Sequence, residues 1–324
     1  MTLRETITGI YIYKYHLFKA CLDGTIEVIE LPTFRKKFNL TRIKDPFVRQ
    51  IESNKNLIIG MQALQNVLFA ATTQELFSYN LSGDQTLFQL SYGFYKGIGE
   101  CRKIIINNKT RVLYVISDLR GIVAIDIRDV KKPKFLNDLE SNELNEVSRG
   151  GITGIDVFDN SIVLAIRNRG VMRIFIGKQK SRQIVERELL KIALEDVQDL
   201  KAYSKTNSIY IVDSERGFLI FNTSNNRIEF EQKLPNHDLP KSIVLYKSHA
   251  LIRGSQGVYL YNSKKKNIEK ILEKKIGSID TYYNHVFYTQ AGELKVMILS
   301  TKDDVPSSKL FNSNSFKDVK IIKL

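Results

Sequence analysis

The sequence predicts an all-β chain folded as a single β-propeller, with seven four-stranded blades spanning residues 1–324 and a ring closed by both chain ends. Three observations predict it. A strand–turn–strand pattern recurs seven times. A glycine falls at the same point of the turn in six of the seven copies. Successive turn positions lie 35 to 51 residues apart, from Gly257 to Gly292 and from Gly24 to Glu75, which brackets the roughly 40 to 50 residues of a four-stranded blade.

The central hairpins follow in chain order. They read HLFKACLDGTIEVIEL from His16, VLFAATTQELFSYNL from Val67 and VLYVISDLRGIVAIDI from Val112. The next four are SIVLAIRNRGVMRIFI from Ser161, SIYIVDSERGFLIFN from Ser208, HALIRGSQGVYLYN from His249 and HVFYTQAGELKVMIL from His285. The turn glycines are Gly24, Gly121, Gly170, Gly217, Gly257 and Gly292, with Glu75 in their place in the second copy. Glycine suits a hairpin turn because it enters positive φ without steric cost.

An apolar run ending in a polar turn precedes most hairpins. ITGIYIYKY from Ile7, CRKIIINNKT from Cys101, ITGIDVFDN from Ile152 and VQDLKAYSKTN from Val197 are examples, as are LPKSIVLYKS from Leu239 and IGSIDTYYN from Ile276. A more polar run follows: RKKFNL, QTLFQL, PKFLNDL, RQIVEREL, RIEFEQKL and NIEKILEK. Buried inner strands with a charged outer strand discourage edge-to-edge pairing, and closing the ring protects what edges are left. The segment ERELLKIALEDVQDL carries a competing helical pattern, so a helical turn is expected near Leu189 to Glu195.

Composition narrows the function. The chain has 324 residues, 43% of them hydrophobic, with no apolar run near the 18 or so residues that span a bilayer. The start, MTLRETITGIYIYKYHLFKACL, lacks the clean apolar segment of a secretory signal. Two cysteines, Cys21 and Cys101, are too few for a disulfide framework. An intracellular setting, cytoplasmic or nuclear, is therefore expected. Lysine and arginine number 49 against 35 acidic residues, a net charge of +14, which favours acidic partners.

The third unit carries a family likeness. RVLYVISDLRGIVAIDIRDVKKPKFL, Arg111 to Leu136, resembles an LVIVD-type propeller repeat: an apolar strand, an Arg-Gly turn, a strand ending in Asp and a Pro-containing exit. Units four and five match its hairpin without the Asp-Pro exit, and the remaining units match only the general pattern. The resemblance implies a β-propeller but no particular reaction; many members are surface or secreted proteins. The chain has no tryptophan, so a tryptophan–aspartate signature is absent. Its one Gly-Gly pair, Gly150 and Gly151, is far short of a kelch pattern.

No GxSxG, HExxH or P-loop motif occurs. GIGECR, from Gly97 to Arg102, has arginine where a dinucleotide fingerprint has its third glycine. Of the histidines, His16, His249 and His285 open the second strands of units one, six and seven, and His237 lies apart. Turns that fan outward do not bring side chains to the ~2 Å that a shared metal requires, so no metal and no cofactor is expected. Asp156 and Asp280 occupy matching places in innermost strands, with Asp199 one position off; wet channel positions tolerate aspartate, and no histidine or nucleophile accompanies them. No catalytic activity is expected.

The Arg-Gly turns are the candidate binding feature. Arg120, Arg169 and Arg216 come from three consecutive units, Arg167 adds to them, and Arg253 lies near in the sixth. Second-to-third-strand turns share one face of a propeller, so these arginines form a candidate basic face, and arginine suits recognition of carboxylate or phosphate. A second basic run, SKKKNIEKILEKK from Ser263, reads as a charged protective edge. The expected function is a non-catalytic scaffold or binding module for an acidic protein partner, or a subunit of a larger assembly. The alternatives are a nucleic-acid-associated propeller and an enzyme that uses the channel carboxylates.

Overall fold

The computed structural model describes residues 6–31, 33, 35–40, 57–72, 75–82, 86–91, 101–117, 121–136, 151–167, 169–179, 182–190, 192, 194–246, 248–300 and 319–323. It is a seven-bladed β-propeller: seven separate four-stranded sheets, arranged in a ring. In the first six blades neighbouring strands run antiparallel and follow chain order from the channel outward. The second strands begin at His16, Val67, Val112, Ser161, Ser208, His249 and His285, where the hairpin repeat starts in sequence.

These strands are almost wholly buried because neighbouring blades cover both of their faces. Ser161–Ile166 and Ser208–Asp213 are buried at every position, which is why they read as continuous apolar runs rather than alternating ones. The outer strand Arg227–Gln232 is exposed or half-buried throughout. Seven apolar clusters fill the seven seams between blades. Six contain eleven to thirteen buried residues each. The seam that closes the ring, between blades seven and one, has four among the described residues: Leu17, Leu31, Phe287 and Val296.

Blade seven is built differently. Its inner strand is short, Ile279–Tyr282, and its outer strand is Val319–Lys323, which pairs parallel with Glu293–Ser300. No outer run for this unit stands out in the sequence. The segment 189–195 forms no helical turn among the described residues. Arg182–Leu189 is strand, and Leu190, Ile192 and Leu194 are buried in the seam between blades four and five. Their spacing of two, an extended period, overrides the helical pattern. Among the described residues the short 3₁₀ turns lie instead at Ser204–Thr206 and Pro235–His237. No helix among the described residues is long and apolar enough to cross a membrane.

Candidate functional site

The inner strands set two layers of side chains around the channel. Counting back two residues from the end of each strand gives Tyr11, Gln62, Ile105, Asp156, Lys201, Val244 and Asp280, each opposite the third residue of its second strand. Two residues earlier in the first six blades stand Gly9, Gly60, Lys103, Gly154, Asp199 and Ser242. Asp156 and Asp280 thus share a layer, as the sequence suggests. Asp199 lies a full layer away, and the residue of blade five that matches Asp156 is Lys201.

Each carboxylate ties its blade to another. Asp156 accepts the Ala202 N–H of blade five at 2.9 Å, and Asp199 accepts the Ile243 N–H of blade six at 3.2 Å. Asp280 accepts the Ile12 N–H of blade one at 2.7 Å, across the ring-closing seam. The other oxygens are engaged too: Asp156 and Asp280 accept the N–H of the residue that follows each of them. The second Asp199 oxygen pairs with the Lys103 ammonium at 2.8 Å. That bridge runs from blade three to blade five, over Gly154 of blade four. A Cβ at Gly154 would sit 3.2 Å from the same Asp199 oxygen, so the missing side chain leaves room for the lysine.

Lys201 stands among these acids. Asp156 chiefly, and then Asp199 and Asp280, push its ammonium above the usual lysine value against the opposing effect of burial. Burial pushes the Asp280 carboxyl up to about 6, opposed by the amides of Thr281 and Ile12 and by Lys201.

The Arg-Gly turns lie on the face where inner strands begin, called here the upper face. Arg167 donates its backbone N–H to the Gly151 carbonyl at 3.0 Å, and its exposed guanidinium is 3.5 Å from Asp196. Arg169 is exposed. Arg216 grips Glu231 with Nε, at 2.8 Å, and with Nη2. Arg253 points elsewhere, donating to Ser242 Oγ at 2.8 Å and to the Gly277 carbonyl of blade seven at 2.7 Å. Arg120 lies outside the described residues. The upper face therefore brings Arg167, Arg169 and Arg216 together as turn residues, and Arg253 spans the seam between blades six and seven.

The three strand-opening histidines are held within their own blades. His16 Nε2 is 3.3 Å from Lys37 Nζ, and His249 Nδ1 accepts the Ser263 N–H at 3.2 Å. His285 is 2% exposed, and burial pushes it down to about 4, opposed by the backbone of Tyr282. Among the described residues no three His, Cys, Asp or Glu side chains cluster as metal ligands would.

Since its folded pKa is depressed, His285 contributes stability that is complete above the unfolded value near 6.5 and is lost as pH falls toward 4. That amounts to about 3 kcal/mol at ~1.4 kcal/mol per pH unit. Asp280 has the opposite sign, its contribution being present below pH 4 and lost as pH rises toward 6. The two offset each other in this window. His285→Val, the residue found at the matching Val67 and Val112, is expected to remove the acid-side loss. Urea titrations at pH 4.5 and 6.5 check it: the variant should gain stability relative to the parent at the lower pH, and a parallel offset at both pH values would contradict the assignment.

Sequence reasoning missed Lys103 and Lys201. Both were findable by aligning inner strands from their first residues, since Cys101, Ile152 and Val197 put Lys103, Gly154 and Asp199 in register.

No family model and no curated protein matches the chain. Solved structures do match in shape. The β-propeller domain of Cps50 (Swd1) from Myceliophteria thermophila is similar with a TM-score of 0.68 at 11% identity, covering 90% of this chain and 95% of that one. The computationally designed Ika8 protein is similar with a TM-score of 0.58, also at 11% identity, covering 90% and 96%. At this identity the likeness establishes the fold alone.

Proposed function

We propose that the chain is a non-catalytic propeller scaffold that docks an acidic protein partner through its upper face, alone or as a subunit of a larger assembly. The observation that carries the non-catalytic part is the use of the channel carboxylates: Asp156, Asp199 and Asp280 are each held by backbone amides of the next blade. An acid–base pair needs a carboxyl placed to exchange a proton with substrate, whereas these hold the ring together. The net charge of +14 and the arginine turns of blades four and five support an acidic partner. The LVIVD-type likeness of Arg111 to Leu136 and an intracellular setting belong to the same reading.

The test is affinity purification from the native source at moderate salt, with the parent chain, an Arg167→Glu/Arg169→Glu/Arg216→Glu variant and Glu231→Gln. The triple variant is expected to lose partners bearing acidic segments by about tenfold or more, since reversing charge at a rim slows association and adds repulsion. Glu231→Gln breaks the same ion pair as Arg216→Glu without reversing the turn, and should retain them. Retention of every partner by the triple variant would end the proposal.

A further inference from the structure

The lower face, where inner strands turn into second strands, carries two costly side chains. Tyr15 and Tyr283 are 58% and 70% exposed. They sit in the two-residue turns of blades one and seven, which are neighbours across the closing seam. Tyr283 also has a φ of 51°. The same left-handed position is filled by Lys14 in blade one, Gln65 in blade two and Asp159 in blade four, none of them a ring. Asparagine and aspartate tolerate that conformation, but a bulky ring there is an outlier. Tyr283 therefore carries backbone strain and an exposed ring, and no burial of that ring offsets either. Strained residues of this sort collect where a ligand is met.

The surroundings are aromatic and basic. Tyr282 packs edge-on against Tyr283 with centroids 4.7 Å apart. Burial first, then the hydroxyls of Tyr283 and Tyr15, raise the Tyr282 pKa. Lys14 Nζ lies 5.3 Å from the Tyr13 ring centre. Lys37 is exposed beside His16. In blade six, Ser248 and Ser263 are bonded at 2.8 Å, which brings the exposed Lys264, Lys265 and Lys266 to this same face. Among the described residues the acids near this sector are Glu30 and Glu269, the latter 4.0 Å from Lys265.

We propose that the lower-face sector of blades six, seven and one binds single-stranded nucleic acid, with bases stacked on Tyr15 and Tyr283 and phosphates met by Lys14, Lys37 and Lys264 to Lys266. An acidic peptide offers partners for the lysines but none for two exposed rings. A single strand offers phosphates and flat bases together, and it has freely accessible bases that a duplex keeps stacked. The site lies on the face opposite the arginine turns, so it stands or fails separately from the protein-docking reading.

The test uses the full chain with fluorescein-labelled 20-nucleotide oligo(dT) and oligo(U), read by anisotropy at 50 and 200 mM salt. The parent is expected to bind, more weakly at higher salt. Tyr15→Ser/Tyr283→Asn should lose about tenfold or more in affinity, since each stacked base is worth at least that order, with the salt dependence kept. Lys14→Gln/Lys264→Gln/Lys265→Gln should flatten the salt dependence instead. The chain has no tryptophan, so quenching of tyrosine emission on binding is a second readout. Tyr283→Asn alone should melt no lower than the parent, because it relieves the turn. The proposal is overturned if neither oligonucleotide binds at 50 mM salt, if the tyrosine variant binds unchanged, or if a 20-base-pair duplex binds as tightly. It is equally overturned if Tyr283→Asn lowers the melting temperature, or if polyglutamate binds in a tyrosine-dependent way, which would make an acidic protein the occupant.

Discussion

Gly217→Ala is expected to cost about 3 kcal/mol of folding stability, at the upper end of ordinary single substitutions. Two effects add. Gly217 has a φ of 90°, which an alanine adopts only with strain. A Cβ there would also lie 2.5 Å from the Gln232 carbonyl oxygen and 2.6 Å from the Lys233 Cα, both backbone atoms of the outer strand's end. The blade would have to push its fourth strand aside. Gly151→Ala separates the two effects, because Gly151 has a φ of 76° with nothing within 4 Å of an added Cβ. It should cost only about 1 kcal/mol. Urea midpoints for the two variants check this. Equal losses would show that the approach of residues 232 and 233 contributes nothing.

Lys201→Met is expected to cost about 2–4 kcal/mol at pH 7, somewhat below the about 3–5 kcal/mol for removing one partner of a fully buried pair, because Lys201 is half-buried. It leaves Asp156 and Asp280 in the channel without the ammonium that offsets them, although Asp199 keeps Lys103. The loss should shrink with acid. Asp280 already takes up its proton near pH 6, and without Lys201 it should do so at a higher pH. The difference between parent and variant is therefore expected to be smaller at pH 5 than at pH 7. Lys201→Met/Asp156→Asn should recover part of the loss. A small difference that ignores pH would mean that the channel charges are not coupled.

Both effects arise from the repeat, and the repeat is what the sequence displayed best. All seven second strands begin where the hairpins begin, because each is buried on both faces and so stands out as an apolar run. The inner strands were legible in type but not in register: Asp199 reads as one position off Asp156, although it stands a full layer away and Lys201 is the true counterpart. Long-range relations were not legible at all. The reach of Lys103 over Gly154 depends on a blade between them having no side chain. The parallel pairing of residues 319–323 depends on a partner strand some twenty residues earlier. For the arginine turns, sequence indicated the shared face of Arg167, Arg169 and Arg216. It could not indicate that Glu231 comes round from the outer strand to hold Arg216, or that Arg253 turns toward Gly277.

The parallel strand of blade seven has a practical consequence for anyone attaching a label. Ile7 donates its N–H to the Gly292 carbonyl at the upper face. Lys323 pairs with Ser300, at the opposite end of the strand that starts beside Gly292. An antiparallel outer strand would have brought the chain back to the side it started from. Here a fusion placed before Ile7 emerges from blade one on the upper face, and one placed after Lys323 emerges from the outer edge of blade seven on the lower face. Each tag crowds one face of the ring and leaves the other open, so binding lost with one fusion and kept with its counterpart would identify the face in use before any residue is changed.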